Sequence, residues 1–166
     1  MSRSVIAVYP GTFDPITLGH EDIVRRAAAL FGEVIIAVAR AHHKKTLFTL
    51  DERLELARDT ASRYGNVKVE PFEGLVTEFV VARGGRAMVR GVRGVTDFDY
   101  EAQLAGMNRN LVSGVETVFL TPAATLQSIS STLVREISQL GGDVAPYVAP
   151  LVLKRLKDKR GAAAKP

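Results

Sequence analysis

The segment YPGTFDPITLGH, residues 9–20, ends in a histidine at the point where a helical pattern begins. The loop leads into a helix N-terminus, where unpaired backbone N–H groups and the positive end of the helix dipole attract anions. Gly11 and Gly19 allow the backbone to approach a ligand closely. Together with Thr12, they make His20 a candidate hydrogen-bond donor to a phosphate group. The alternative is a histidine that only caps the loop.

Basic side chains follow two further apolar stretches. Lys44 and Lys45 lie in the loop ARAHHKKTLF, where they suit a phosphate group as point charges or, alternatively, form part of a solvated loop. Arg90 and Arg93 flank Gly91 in VRGVRG. Because a guanidinium can donate two parallel hydrogen bonds to a phosphate group, these arginines are predicted to bind one.

Acidic side chains follow the arginines closely, at Asp97, Asp99 and Glu101. No partner base is evident for them. They are expected to orient the arginines, or to place negative charge at the N-terminus of the next helix, where it is stabilising. A structural role is therefore preferred to a catalytic one.

A fourth candidate loop is rich in hydroxyl groups and precedes a helical pattern. Capping that helix requires a single hydroxyl, so the others, with the backbone amides, are predicted to bind phosphate. Arg135 lies one turn further along and is expected to reach the same anion. The hydroxyl residues are Ser128, Ser130, Ser131 and Thr132.

Other chemistries lack their residues in this sequence. The absence of cysteine excludes disulfides and thiolate metal sites. His42 and His43 are adjacent, so on a strand they would point to opposite sides, and no metal ligand is predicted. No G-x-S-x-G element and no spaced hydrolase triad is present. The loops therefore predict a substrate with several phosphates that is handled without a protein nucleophile.

Alternating strands and helices must position these loops. Short apolar stretches predict five strands, at 5–9, 34–39, 67–70, 87–90 and 116–120. Helical patterns run from about 19–31, from Thr49 onward, and over 75–83, 97–112, 130–140 and 146–157. This order is typical of an α/β fold, a doubly wound, Rossmann-like parallel sheet whose ligand crevice lies at the carboxyl ends of the strands.

Length and charge bound the remaining possibilities. The 166 residues fit one domain, predicted as residues 1–158 with a disordered basic tail at 159–166. No apolar run and no leader pattern indicates a membrane segment or a signal peptide, so a cytoplasmic location is expected. The net charge of +4 leaves a non-enzymatic RNA-binding protein as an alternative. However, the few aromatic residues are not interleaved with a basic stripe, so no nucleic-acid partner is expected.

Several motifs resemble a known enzyme family. TxGH at Thr17–His20 and ISST at Ile129–Thr132 are similar to motifs of the nucleotidyltransferase superfamily. KK at 44–45, FTLDERLELA, RGVRGVTDFDYE, MNRNL and ISSTLVRE more narrowly resemble the bacterial phosphopantetheine adenylyltransferase family. The matching segments follow the family's order from residue 9 to about residue 142.

The resemblance implies transfer of the adenylyl group of ATP to 4′-phosphopantetheine, with Mg²⁺, giving dephospho-coenzyme A and pyrophosphate. It also implies a homohexamer built from two trimers and coenzyme A as a feedback ligand. The nucleophile would be a phosphate oxygen that is already anionic. This agrees with the absence of an evident general base.

The resemblance also assigns roles to particular residues. It implies catalytic roles for Thr12, His20, Lys44 and Arg93, and binding of phosphopantetheine by Thr12, Lys44, Val76 and Arg90. The ATP site would consist of Thr12, Phe13, His20, Gly91, Val92, Arg93, Glu101, Leu126, Gln127, Ser128, Ile129, Ser130, Ser131 and Thr132.

Two alternatives within the superfamily differ in their motifs. An adenylyltransferase acting on nicotinamide or nicotinate mononucleotide would share the GTFDP and ISST elements but is not expected to carry RGVRGVTDFDYE. A glycerol-phosphate cytidylyltransferase should show an RTEGIST-like element, which this sequence lacks. One departure concerns the adenine site, because Leu126 and Gln127 stand where the family commonly has an aromatic residue.

Overall fold

The computed structural model describes residues 4–40 and 45–163, in which strands and helices alternate. The strands are β1 (Ile6–Gly11), β2 (Glu33–Ala39), β3 (Val67–Phe72), β4 (Ala87–Gly91) and β5 (Glu116–Leu120). The α-helices are α1 (Leu18–Leu30), α2 (Leu50–Ala61), α3 (Val76–Ala82), α4 (Val95–Leu111), α5 (Ser131–Gln139) and α6 (Pro150–Ala163). The predicted α/β architecture is confirmed.

The five strands form one parallel sheet in the order β3-β2-β1-β4-β5. The chain builds outward from β1 through β2 to β3, then returns to place β4 on the other side of β1. The loops after β1 and β4 therefore leave the sheet in opposite directions. This arrangement opens a crevice at their carboxyl ends, where doubly wound sheets bind ligands.

Two apolar clusters cover the sheet. The larger one joins β1 and β2 to α1, α2, α5 and α6, with Val24, Ile36, Phe48 and Leu56 almost completely buried. The smaller one packs Phe79 and Val80 of α3 onto the opposite face. Because β1 and β2 are buried on both faces, they are continuously apolar, as the sequence indicated.

Helix α4 differs from an ordinary core-packed helix. Leu104, Met107 and Leu111 share one face, but Met107 is 65% exposed and Leu111 58% exposed. The buried residues of α4 are instead Glu101 and Asn108. The helix thus contacts the rest of the chain through these two polar side chains and through Phe98, whose ring centre lies 5.4 Å from that of Phe119 in β5, while Met107 and Leu111 stay exposed.

The C-terminal helix extends into the segment 159–166 that was predicted to be a disordered tail, and residues 164–166 lie outside the described residues. Helix α6 continues to Ala163, past residue 159, where the tail was expected to begin. Lys159 holds this turn, because its Nζ lies 2.8 Å from Glu52 Oε2 and 5.6 Å from the centre of the Phe48 ring. A basic sequence that looked like a solvated tail is therefore anchored to α2.

Buried carboxylates fasten the loops around the crevice. Asp14 accepts hydrogen bonds from the backbone N–H groups of Leu47 and Phe48, each at 2.9 Å. Asp22 of α1 accepts one from the Ala123 N–H at 2.9 Å, after β5. Burial alone would raise the pKa of Asp22, but hydrogen bonds from Arg25, Arg26 and this amide lower it. Distant loops are thereby held in one arrangement.

No helix in residues 4–40 and 45–163 has the length and the apolar character required to cross a membrane.

Candidate active site

A cleft of about 340 Å³ opens at the carboxyl ends of β1 and β4. Its walls come from the loop after β1, the start of α1, the β4–α4 loop and the segment before α5. It brings together most of the predicted ATP-site residues and Arg90. Those that line it are Phe13, His20, Arg90, Gly91, Arg93, Glu101, Leu126, Ile129, Ser130, Ser131 and Thr132.

Other predicted residues do not line this cleft. Val92 is buried, and its backbone N–H donates to the carbonyl of Leu120 at the end of β5. Gln127 and Ser128 are exposed beside the cleft. Val76 begins α3 and packs against the smaller apolar cluster. Thr12 follows β1, and its carbonyl accepts a hydrogen bond from Arg53.

One part of the prediction lies outside the described residues. Lys44, with the neighbouring His42 and His43, falls in the segment 41–44, which the structure does not describe. Lys45 is described and is exposed. The role of Lys44 therefore stays a prediction.

The loop after β1 turns sharply at Phe13. Phe13 has a φ of 49°, in the left-handed region that non-glycine residues rarely adopt. Its buried ring stands edge-on to Tyr9 and to His20, with ring centres 5.3 and 5.2 Å apart. A Cβ on Gly11 would lie 2.9 Å from the Phe13 ring, so this packing favours glycine there, and Gly11 also lines the cleft.

The Thr17–His20 pair sets the orientation of the histidine. Thr17 caps α1, and the His20 backbone N–H donates to its hydroxyl at 3.4 Å. In return, His20 Nδ1 accepts a hydrogen bond from the Thr17 backbone N–H at 3.0 Å. Because Nδ1 is an acceptor, the proton of the neutral ring is on Nε2. His20 therefore caps the helix with one nitrogen and has a donor on the other.

The environment keeps His20 neutral. Burial disfavours the imidazolium and lowers the pKa of His20 from 6.5 to about 4, and the charge of Arg93 acts in the same direction. At neutral pH the side chain is thus a hydrogen-bond donor without a charge. It is suited to stabilising a phosphate oxygen and unsuited to removing a proton, because Nδ1 is occupied.

This low pKa predicts a distinct pH dependence of stability. Between about pH 4 and 6.5, His20 takes up a proton in the unfolded state but not in the folded state, so stability rises with pH across this window. The contribution is complete above 6.5 and is lost as the pH falls toward 4. Urea unfolding of the wild type and His20→Gln should show the wild type losing more free energy of unfolding on acidification. Parallel curves would contradict the assignment.

Arg90 and Glu101 form a two-pronged ion pair in the cleft. Arg90 Nε lies 2.7 Å from Glu101 Oε2, and Nη2 lies 2.6 Å from Oε1. Arg90 Nη1 also donates to the Pro10 carbonyl at 3.3 Å. The pair fixes the guanidinium plane at the end of β4, and the remaining N–H groups of Arg90 stay available to an anion.

Arg93 connects the β4–α4 loop to the segment before α5. Its Nε lies 2.9 Å from Asp97 Oδ2, and its Nη1 donates to the Ile129 carbonyl at 3.0 Å. The hydrogen bond from Arg93 lowers the pKa of Asp97. Asp97 and Glu101 therefore orient the two arginines, one of the two roles that the sequence left open for them.

The hydroxyl groups before α5 divide their tasks. Ser130 caps the helix by accepting from the Leu133 N–H at 3.1 Å. The Ser131 hydroxyl donates to the Pro15 carbonyl at 2.8 Å, which ties α5 to the loop after β1. Arg135, expected to reach the bound anion, instead donates to the Asp14 carbonyl. It braces the cleft from outside.

Sequence reasoning missed several cleft residues, among them Tyr9, Ile23 and Pro122. Tyr9 is 5% exposed, and burial raises the pKa of its hydroxyl, so the group stays protonated. Tyr9 belongs to an apolar strand, whose residue types pointed only to the core. Its place at the carboxyl end of β1 was the available signal.

A metal site requires several ligating side chains that converge on one point. Within 4–40 and 45–163, no group of three histidine, cysteine or acidic side chains is arranged to hold a metal ion. The cleft acids Asp97 and Glu101 are each engaged by an arginine. The described side chains therefore do not fit a metal centre built by the protein alone.

The described residues of the cleft present hydrogen-bond donors to anions. The N-termini of α1, α4 and α5 begin beside it, at Leu18, Val95 and Ser131. Their free amides, the His20 imidazole and the two arginines all favour phosphate groups. Such a site stabilises negative charge on a reacting phosphate, which is the requirement of phosphoryl or nucleotidyl transfer.

Comparison with known proteins identifies close relatives. The profile of the cytidylyltransferase-like family matches residues 8–137. A protein of Acidovorax sp. (strain JS42) named phosphopantetheine adenylyltransferase is 71% identical over 160 residues, covering 96% of this chain and 97% of its own. One of the same name from Ralstonia pickettii (strain 12J) is 57% identical over 157 residues, covering 95% and 94%.

A solved structure confirms the fold. Nicotinic acid mononucleotide adenylyltransferase of Plasmodium falciparum, complexed with NaAD, superposes with a TM-score of 0.68 over 93% of this chain and 95% of its own. Its sequence identity of 14% supports the shared architecture alone.

Proposed function

The chain belongs to the cytidylyltransferase-like family and, within it, to the phosphopantetheine adenylyltransferases, and on that premise we propose that it transfers the adenylyl group of ATP to 4′-phosphopantetheine. The observation that carries the proposal is the 71% identity to a protein of that name across 96% of the chain. The cleft supports it independently, because its donors suit two phosphorylated substrates.

We propose that the reaction is an in-line displacement. A phosphate oxygen of 4′-phosphopantetheine forms a bond to the α-phosphorus of ATP, and the bond from that phosphorus to the bridging oxygen breaks, releasing pyrophosphate. The attacking oxygen is anionic, so no proton has to be removed. The protein contributes placement of two anions and stabilisation of the charge on the α-phosphate.

Each part of the cleft has a role in this proposal. His20 Nε2–H donates to the α-phosphate, with Thr12 and Lys44 beside the reacting group. Arg90 binds the phosphate of phosphopantetheine, whose arm extends toward Val76. Arg93 and the amides before α5 hold the β- and γ-phosphates, while Leu126 supplies an apolar surface for adenine.

Mg²⁺ belongs to the proposal as part of the ATP complex. In the described residues the cleft acids are occupied by arginines, so the phosphates of ATP would carry the metal.

Assembly and regulation are also proposed from the resemblance. A homohexamer made of two trimers would cover the apolar side chains exposed along α4 and just after α5, such as Val95, Met107 and Leu140, which are 79%, 65% and 89% exposed. Coenzyme A contains the phosphopantetheine and adenosine moieties of the product, so it would act as a feedback ligand in the same cleft.

The decisive assay measures pyrophosphate release. We expect release with ATP, Mg²⁺ and 4′-phosphopantetheine, and none with ATP and nicotinamide mononucleotide or with CTP and glycerol phosphate. Release only with the mononucleotide would retain nucleotidyl transfer and the role of His20 but overturn the phosphopantetheine assignment. No release from any pair would overturn the enzymatic proposal.

A further inference from the structure

A buried cation lies behind the cleft. Arg53 of α2 is 2% exposed and does not line the cleft. A buried charge is costly unless hydrogen bonds replace its hydration. The hydrogen-bond partners of this guanidinium therefore indicate its role.

The guanidinium of Arg53 joins three parts of the backbone. Nη1 donates to the Thr12 carbonyl and to the Ala39 carbonyl, each at 2.8 Å. Nε donates to the Phe48 carbonyl at 3.3 Å. These carbonyls lie just after β1, at the end of β2 and just before α2. One side chain thus connects the two strand ends that lead into the predicted catalytic loops.

The partners of Arg53 are unusual for a buried cation, since its hydrogen bonds go to carbonyl oxygens. Burial lowers the pKa of Arg53, and the charge of Asp14 acts in the opposite direction. Asp14 in turn accepts the N–H groups of Leu47 and Phe48. The loop after β1 and the segment that follows residue 44 are therefore joined by two sets of hydrogen bonds, one made by Arg53 and one made by Asp14.

We propose that Arg53 is a positioning residue of the active site, holding the Thr12 backbone and the end of β2 so that the two substrates meet in line. This inference rests on the proposed adenylyl transfer. In-line transfer is sensitive to placement, and a displacement of about 1 Å can cost on the order of 10²-fold in rate.

A lysine side chain cannot reproduce the hydrogen-bond geometry of Arg53. Its donors radiate from one nitrogen, whereas Arg53 uses Nε and Nη1 to reach carbonyls in different directions. We expect Arg53→Lys to fold and to lose roughly 10²-fold in kcat, with KM for ATP little changed. In Arg53→Ala, added guanidinium ion below denaturing concentration should restore part of kcat, and methylammonium should not.

A matched control is Arg155→Lys. Arg155 also donates to α2, at 2.6 and 2.7 Å from the two carboxylate oxygens of Glu55, but it lies away from the cleft. This variant should keep the wild-type kcat. A merely structural role for Arg53 predicts that Arg53→Lys lowers the melting temperature and leaves kcat unchanged, and this result would overturn the proposal.

Backbone amide exchange tests positioning without any substrate. Arg53→Lys should speed exchange in residues 9–17 and 45–48 while α6 retains its protection. If the wild type releases no pyrophosphate, the proposed function fails, but this exchange pattern still decides whether Arg53 holds the loops. Unchanged exchange in those segments would overturn the inference even in an active enzyme.

Discussion

Replacing His20 with alanine is expected to lower kcat by about 10²–10³-fold while KM for both substrates changes by no more than about threefold. The reason is that the Nε2–H donor matters most when negative charge builds on the α-phosphate. Binding in the ground state relies on the arginines and helix amides, which the substitution leaves in place. Steady-state pyrophosphate release, with each substrate varied in turn, measures both quantities.

Two variants separate the capping role of His20 from its donor role. Asparagine can still accept the Thr17 N–H, a bond that His20 Nδ1 makes at 3.0 Å, but it lacks a group at the Nε2 position. Glutamine can place an amide N–H near that position. His20→Asn should therefore fold well and remain slow, and His20→Gln should recover part of kcat. Comparable losses in kcat and substrate affinity in the alanine variant would refute the donor role.

Loss of Arg90 should act on one substrate. Charge-assisted hydrogen bonds contribute about 1.5–3 kcal/mol each, so Arg90→Ala should raise KM for 4′-phosphopantetheine by about 10–100-fold. KM for ATP should change much less. Arg93→Ala is the counterpart, because Arg93 faces the segment before α5 and should affect ATP instead. The two variants are compared by measuring KM for each substrate.

The ion pair with Glu101 requires its own control. Removing Arg90 leaves a carboxylate that is 8% exposed without its partner, and its charge would repel an incoming phosphate. The double variant Arg90→Ala with Glu101→Gln removes this repulsion. If the rise in KM for phosphopantetheine disappears in the double variant, Arg90 serves to neutralise Glu101 and the proposed contact with substrate is wrong.

The strands and helices could be predicted because their signals are local. Val5 to Tyr9 and Val34 to Ala39 are apolar on both faces, which is typical of central parallel strands, and β1 and β2 lie there. The spacing of Thr49 and Glu52 is that of a capping box, and both of its hydrogen bonds are present at the start of α2. Such patterns depend on neighbours within a few residues.

Side chains whose partners are distant in sequence were harder to predict. Arg135 was expected to face the anion, yet its guanidinium reaches back to Asp14. Lys159 resembled part of a solvated tail until Glu52 and Phe48 were placed beside it. The burial of Arg53 could not be predicted, although the helix that contains it could. The position of a residue along a helix does not show which backbone carbonyls its side chain will contact.

By itself, the sequence determined the order of the elements, the polar loops that follow each strand and, through TxGH and ISST, the family resemblance. The tertiary structure decided which loops share a cleft. The order β3-β2-β1-β4-β5 brings the ends of β1 and β4 together although about 80 residues separate Pro10 from Arg90, whose Nη1 lies 3.3 Å from the Pro10 carbonyl. It also decided that His20 is neutral, because the pKa of an imidazole follows from burial and neighbouring charge, which only the folded chain supplies.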